Sequence, residues 1–171
     1  MKGDPNSVAP ATARGVLSLL KGYGIGIRGK KATVLGRSDL VVAPIAFLLA
    51  IEGAIVTICH STTSDVPEKC KGADILVVAI GRPHFITENY VSQNQTVIDV
   101  GINLLEVKSN HTEVLKLEYE IPQKRIVGDV DFEKVKNIVG AISPVPGGVG
   151  PMTVLSLFEN LIDACRANPQ M

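Results

Sequence analysis

Apolar positions follow two rhythms along this chain. Between residues 10 and 23 (PATARGVLSLLKGY), Val16, Leu17, Leu19, Leu20 and Tyr23 fall on one face at helical spacing, which predicts a helix. Pro10 opens that segment and Gly24 follows it, as start and stop signals should. A Gly-rich connection, 24–29, leads into a second rhythm of short, wholly apolar runs separated by helical stretches. Strands are expected at 31–36 (KATVLG), 54–59 (AIVTIC), 74–80 (DILVVAI) and 96–100 (TVIDV), with further candidates at 126–130 and 139–142. Helices are expected at 41–52, near 65–72, at 87–93 and at 151–166, the last with Pro151 near its start. Alternating strands and helices imply an α/β fold with a doubly wound, mostly parallel sheet and helices on both faces. Residues 104–124 break the pattern. They are charged, contain Pro122, and read as a surface insertion shaped as an irregular hairpin. No internal repeat or low-complexity tract interrupts residues 1–171, which read as one domain.

Composition supports a buried parallel sheet. Hydrophobic residues make up 46% of the chain but aromatics only 4%, with no Trp, so the core must be built from Val, Ile, Leu and Ala. Lys+Arg and Asp+Glu both total 17. That balance speaks against nucleic acid as a partner, because such binders carry a basic excess. With no run of like charge, no basic amphipathic helix and no apolar stretch of spanning length, a membrane partner is not expected either. Cys59, Cys70 and Cys165 are widely spaced and form no CxxC pair, so neither a disulfide framework nor a metal site is expected. The N-terminal Met1–Pro5 does not read as a signal peptide, and the expected location is cytoplasmic.

Candidate chemistry gathers where strands give way to helices. The first strand ends Val34-Leu35-Gly36-Arg37-Ser38 just before a helix, a turn that places backbone N–H groups and a helix N-terminus where a pyrophosphate can sit. It is not GxGxxG, since Gly36 is its only glycine, but Arg37 and Ser38 both suit a phosphate. The second strand ends Cys59-His60-Ser61-Thr62-Thr63, without the Asp or Glu that an NAD site places there for the ribose hydroxyls; Asp65 lies further on. Hydroxyls, an imidazole and Arg37 favour a 2′-phosphate, and so NADP over NAD. The eleven residues Ser143–Thr153 hold three Pro and three Gly directly before a helix, a kinked loop with bare backbone that a ligand can approach closely. Gly81 and Gly101 follow the third and fourth strands on the edge where such sheets bind ligands. Asp99 lies in a buried run and reads as a structural hydrogen-bonding group, and His84 as exposed and unpartnered. Each of these turns also admits a purely structural reading. No GxSxG, HExxH, P-loop or general acid/base pair can be assembled, so no catalytic residue is assigned.

Taken together, VLGRSDLV at 34–41, TICHSTT at 57–63, ADILVVAIGRP at 73–83, VIDVGIN at 97–103, VGDVDFE at 127–133 and SPVPGGVGPMTV at 143–154 resemble, in order, the motifs of the bifunctional methylenetetrahydrofolate dehydrogenase/cyclohydrolase family. The likeness runs from about residue 10 to 166 and is carried most specifically by PVPGGVGPMT. It implies a Rossmann-like domain that binds NAD(P), with NADP the expected cofactor and 10–23 as the hinge helix. It implies that Gly36, Arg37 and Ser38 contact the cofactor phosphates, Ser61 the 2′-phosphate region and Ile102 the nicotinamide side. Gly147, Gly148 and Thr153 would belong to the loop facing cofactor and folate. In the family, a preceding half carries the catalytic Lys and Tyr and much of the folate site. These 171 residues are therefore expected to lack both activities alone, to serve a folate substrate only in the full-length enzyme, and to pair as a homodimer around residues 54–72. The alternative is a non-catalytic, stand-alone nucleotide-binding or dimerisation module. Three departures from the family pattern stand out. Val42 replaces a glycine beside the phosphate turn and is expected to crowd the cofactor. Ala11 stands for Cys, and Ser143 for Thr.

Overall fold

The computed structural model describes residues 8–107 and 123–167. Among them, β1 (Lys31–Gly36), β2 (Ile55–Cys59), β3 (Ile75–Ala79), β4 (Thr96–Asp99) and β7 (Ala141–Ile142) form one parallel sheet in the order β2-β1-β3-β4-β7. Alternating side chains divide the core into two layers. Ala32 and Val34 of β1, Ile75 and Val77 of β3 and Ile98 of β4 pack with α1 (Ala11–Gly22) and α2 (Val42–Ile51). Leu35, Leu76, Val78 and Val97 point the other way, toward α3 (Val66–Lys71), α4 (Phe132–Val135) and the single 3-10 turn Glu88–Tyr90. Both faces of the central strands are covered, so β1 and β3 are buried along most of their length, and the doubly wound reading holds.

Several buried polar side chains find partners within the core, although among the described residues Ser156 Oγ is buried without one. The Thr33 hydroxyl donates to the Lys69 carbonyl at 2.9 Å, and Gln95 Nε2 donates to the carbonyls of Cys70 and Ala73 at 2.7 Å each. Cys59 and Cys70 are free thiols that fill the second layer as small apolar groups. The final helix, α5 (Val149–Ala167), packs on α1, where Arg14 donates to Glu159 at 2.8 Å, to Asn160 at 2.9 Å and to Asp163 at 2.6 Å.

Three elements differ from the sequence reading. The helix expected at 87–93 is one 3-10 turn, because Val91 is already extended at φ −120°. α5 begins at Val149, two residues early, since Pro151 is tolerated within the first turn. The run 126–130 does not join the sheet. Its first residues end β6 (Gln123–Val127), which pairs antiparallel with β5 (Asn103–Val107) as a separate ribbon, while Val130 bridges Ile86. The ribbon is formed by the flanks of the expected insertion; the rest of it, 108–122, lies outside the described residues. No helix among the described residues is long and apolar enough to cross a membrane.

All five strands run in parallel, so their carboxyl ends share one edge. The chain passes from β1 outward to β2, then back across to β3 on the far side of β1. The winding direction reverses there, and the loops leaving β1 and β3 diverge to open a crevice.

Candidate functional site

Gly36 closes β1 at that crevice with φ +149°, a conformation side chains rarely adopt. A Cβ there would collide with the Ala79 carbonyl and lie 2.7 Å from Val42 Cγ2. Glycine is therefore required for β1 and β3 to stay paired at their ends. Beyond it, Arg37–Leu40 are exposed, and the Ser38 carbonyl accepts the Val42 and Ala43 N–H groups at 2.9 and 3.3 Å to start α2. Ser38 Oγ accepts from Leu40 N at 3.3 Å. The first turn of α2 carries no acidic residue and no side-chain cap, so no side chain of the helix itself offsets the positive end of its dipole.

A cleft of about 380 Å³ opens at this edge. Leu35, Gly36 and Arg37 line it from β1, His60 and Ser61 from the end of β2, Val66 from α3, and Ile80, Arg82, Phe85 and Tyr90 from the β3 side. Thr62 and Thr63 hold the turn: Thr63 Oγ1 accepts from His60 N at 3.0 Å, and Thr62 Oγ1 bonds His60 Nδ1 at 2.9 Å. Ser61 is left to face the cleft. Among the described residues no carboxylate lines it, and Asp65 instead precedes α3 as its N-cap residue. The cleft thus offers two guanidinium groups, an imidazole and a hydroxyl beside apolar walls.

A second cleft, of about 530 Å³, lies beyond β4 and β7. Val100–Ile102 form one side and the Pro144–Pro151 loop the other, with Thr12, Val41, Ile126 and Thr153 completing it. Gly148 is needed because a Cβ would lie 2.5 Å from the Pro144 carbonyl and 3.0 Å from Ser143 Cβ. Thr153 Oγ1 donates to the Val149 carbonyl at 3.1 Å, inside α5. Ser143 Oγ accepts from Asp99 N at 2.8 Å in a buried position, which explains why Ser can stand for Thr: the hydroxyl is the part in use.

Two buried aspartates join the clefts. Asp99 accepts from the N–H groups of Gly101 (2.9 Å), Asp129 (3.1 Å) and Val130 (2.9 Å). Asp129 accepts from Ile80 N (2.7 Å), Gly81 N (2.9 Å), Arg82 N (2.8 Å) and Asn103 Nδ2 (2.8 Å). The loops after β3 and β4 are therefore stitched to one point. Burial pushes the Asp99 carboxyl from 3.8 up to about 6, against the pull of its three N–H donors, and the neighbouring Asp129 charge adds to the rise. The folded state then holds a proton at Asp99 that the unfolded chain releases near pH 4. Stability from this group is present in full below the unfolded value and is lost as pH rises from about 4 to about 6. Urea unfolding of Asp99→Asn across this range is expected to lack that part of the slope, on the order of 2–3 kcal/mol. A variant that keeps the wild-type slope overturns the assignment.

Gly36, Arg37 and Ser61 thus meet in the first cleft, and Ile102, Gly147, Gly148 and Thr153 in the second. Ser38 lines neither and sits in the turn that starts α2. Val42 corrects the sequence reading. Its side chain is 2% exposed and packs in the core against Gly36, so it does not crowd the cleft. Arg82, Phe85 and Tyr90, Thr12 and Val41, and the anchoring role of Asp129 were missed. Arg82 directly follows Gly81 at the carboxyl end of β3, a position that should have drawn attention.

Comparison with known proteins settles the lineage. The family described as tetrahydrofolate dehydrogenase/cyclohydrolase, NAD(P)-binding domain, matches residues 10–169. The chain belongs to this family. Among curated relatives, it is 49% identical over 158 residues to the bifunctional protein FolD of Caldicellulosiruptor saccharolyticus, covering 92% of this chain and 51% of that protein. It is 43% identical over 171 residues to FolD of Acetivibrio thermocellus, covering 100% of this chain and 54% of that one. Among solved structures, the methylenetetrahydrofolate dehydrogenase-cyclohydrolase of Trypanosoma brucei, in complex with NADP and an inhibitor, is 36% identical with a TM-score of 0.83, over 98% of this chain and 54% of that one. The chain therefore spans about half the length of the curated relatives it matches. It is the family's NAD(P)-binding domain, with the Rossmann-like fold of its neighbours.

Proposed function

We propose that this domain binds NADP along the carboxyl edge of its sheet, as the cofactor half of a methylenetetrahydrofolate dehydrogenase/cyclohydrolase. The observation that carries this reading is the first cleft, where Arg37 and Ser61 converge and no carboxylate competes for a ribose 2′-hydroxyl. The adenosine half would lie there, with Arg37 and Ser61 toward its 2′-phosphate. The pyrophosphate would cross Gly36–Ser38 at the N-terminus of α2. The second cleft, with Val100, Ile102 and Val149 as apolar walls and Gly147, Gly148 and Thr153 in its loop, suits the flat nicotinamide ring and faces the folate side. NADP supplies the hydride acceptor when bound, and the protein's part is to orient that acceptor and exclude water. In the whole enzyme the hydride leaves the methylene carbon of 5,10-methylenetetrahydrofolate, and water then opens the methenyl product to 10-formyltetrahydrofolate. Calorimetric titration of the chain with NADP tests the reading: one saturable site per chain is expected, and no heat of binding overturns it.

Two exposed surfaces support partners for the domain. α5 presents Val154, Leu155, Phe158, Leu161 and Ile162 to solvent at helical spacing, a face suited to the remaining half of an enzyme of this family. At the opposite end of the sheet, β2 is an edge strand whose Ile55 and Ile58 are exposed, with Ile58 on the face covered by α2, where Phe47 and Ile51 are exposed as well. A homodimer through this edge is expected in sedimentation at tens of micromolar protein (roughly where a stable dimer persists), and Ile58→Lys should shift it to monomer. Wild-type protein that stays monomeric there refutes the pairing.

A further inference from the structure

We propose that Arg82 is the stacking wall for the adenine base, an assignment that rests on the nucleotide reading above and adds to it a residue that binds the base instead of a phosphate. The Arg82 guanidinium carbon lies over the Phe85 ring, 4.4 Å from its centroid and within cation–π range. Phe85 is itself braced by Tyr90, with ring centroids 5.5 Å apart and planes tilted by 47°. A guanidinium is planar and weakly hydrated on its faces, so it stacks on both sides. One side of Arg82 rests on Phe85, and the residue is otherwise exposed and lines the cleft. Apolar Val66 and Ile80 stand beside it, while Arg37, His60 and Ser61 line the cleft from β1 and β2. The cleft therefore offers partners for both parts of a nucleotide, a braced guanidinium with aromatic and aliphatic neighbours for a purine and polar groups for the ribose end.

The wall is held before any ligand arrives. Asp129, fully buried, fastens the N–H groups of Ile80, Gly81 and Arg82 at 2.7–2.9 Å. His84 N donates to the Gly128 carbonyl at 3.2 Å and Ile86 N to the Asp129 carbonyl at 3.0 Å. The whole turn from 80 to 86 is thus sewn to 128–131, and the backbone of Arg82 cannot drift. Among the described residues Arg82 forms no ion pair that would hold its side chain elsewhere. The backbone under Arg82 therefore needs no ordering on binding, which is how a preorganised segment contributes affinity.

Stacking and phosphate binding make opposite forecasts. A base platform serves NADP and NAD equally, since both carry adenine, and it needs the planar group. A phosphate ligand serves NADP alone and needs only charge. Arg82→Ala, Arg82→Lys and Phe85→Leu should be titrated calorimetrically with NADP and NAD in the 171-residue chain, with a thermal melt of each. Arg82→Ala is expected to weaken both cofactors about fivefold, leaving their ratio and the melt unchanged. Arg82→Lys should fail to restore binding, and Phe85→Leu, which removes the platform, should weaken both to a smaller degree. Unchanged affinity in Arg82→Ala overturns the proposal. So does a loss confined to NADP and rescued by lysine, which would make Arg82 a phosphate ligand. If the wild-type chain takes up neither cofactor, the nucleotide reading itself falls and the proposal with it.

Discussion

Replacing Arg37 by alanine is expected to weaken NADP about tenfold or more and to leave NAD nearly unchanged. A charge-assisted hydrogen bond from a guanidinium to a phosphate contributes on the order of 1.5–3 kcal/mol, which is a factor of about ten or above. NAD has no 2′-phosphate, so it has nothing to lose at that position. The cleft sharpens the forecast: Arg37 and Ser61 line it together, and no lining carboxylate would take over the ribose hydroxyls. Arg37 is exposed, so the substitution should leave folding intact and the effect should appear in binding alone. Paired titrations of wild type and Arg37→Ala with each cofactor decide the matter. Equal losses of NAD and NADP would refute the 2′-phosphate assignment and move Arg37 to the pyrophosphate.

The largest stability effect should come from Asp129→Ala. Asp129 accepts four hydrogen bonds, three from backbone N–H groups and one from Asn103, and has no exposure of its own. Alanine leaves those donors without an acceptor in a partly buried place, at a cost of about 1–3 kcal/mol for each one that water cannot reach. A total of about 3–5 kcal/mol is a large share of the roughly 5–15 kcal/mol that holds a domain together. For a chain of this size the melting temperature should fall by about 10 °C or more. Asp129→Asn keeps one acceptor oxygen and should fall between wild type and alanine. Thermal melts with parallel urea titrations measure both variants, and an alanine variant melting within about 2 °C of wild type would show that the two loops hold their shape without the carboxylate. The same variant loosens the backbone of Arg82, so its cofactor affinity should fall even at temperatures where it remains folded.

Local pattern by itself determined the four strands β1 to β4, the helices α1, α2, α3 and α5, and the class of fold. In β1 and β3 every side chain from the second residue to the fourth is buried, which only a strand covered on both faces requires, and a run that is aliphatic in β3 and broken only by Thr33 in β1 reports it directly. Gly36, Arg37, Ser61 and the Ser143–Thr153 loop were legible for a related reason. In a parallel sheet the residues just after each strand share one edge, so residues that line a common cleft can be named before their contacts are known. Resemblance in the motifs then supplied the family. Tertiary structure alone decided what depends on residues far apart in the chain. Asp99 and Asp129 are 30 positions apart, and Asp129 is 49 from Ile80, so no local period links them. Whether 126–130 joins the sheet depends on which edge is free to pair, and the ribbon with β5 took its first residues instead. The direction of Val42 follows from the phase at which α2 leaves its turn, and that phase is set by packing on Gly36. Arg82 joins Arg37 only because β1 and β3 lie side by side, and strand order is a property of the closed sheet, not of any stretch of sequence.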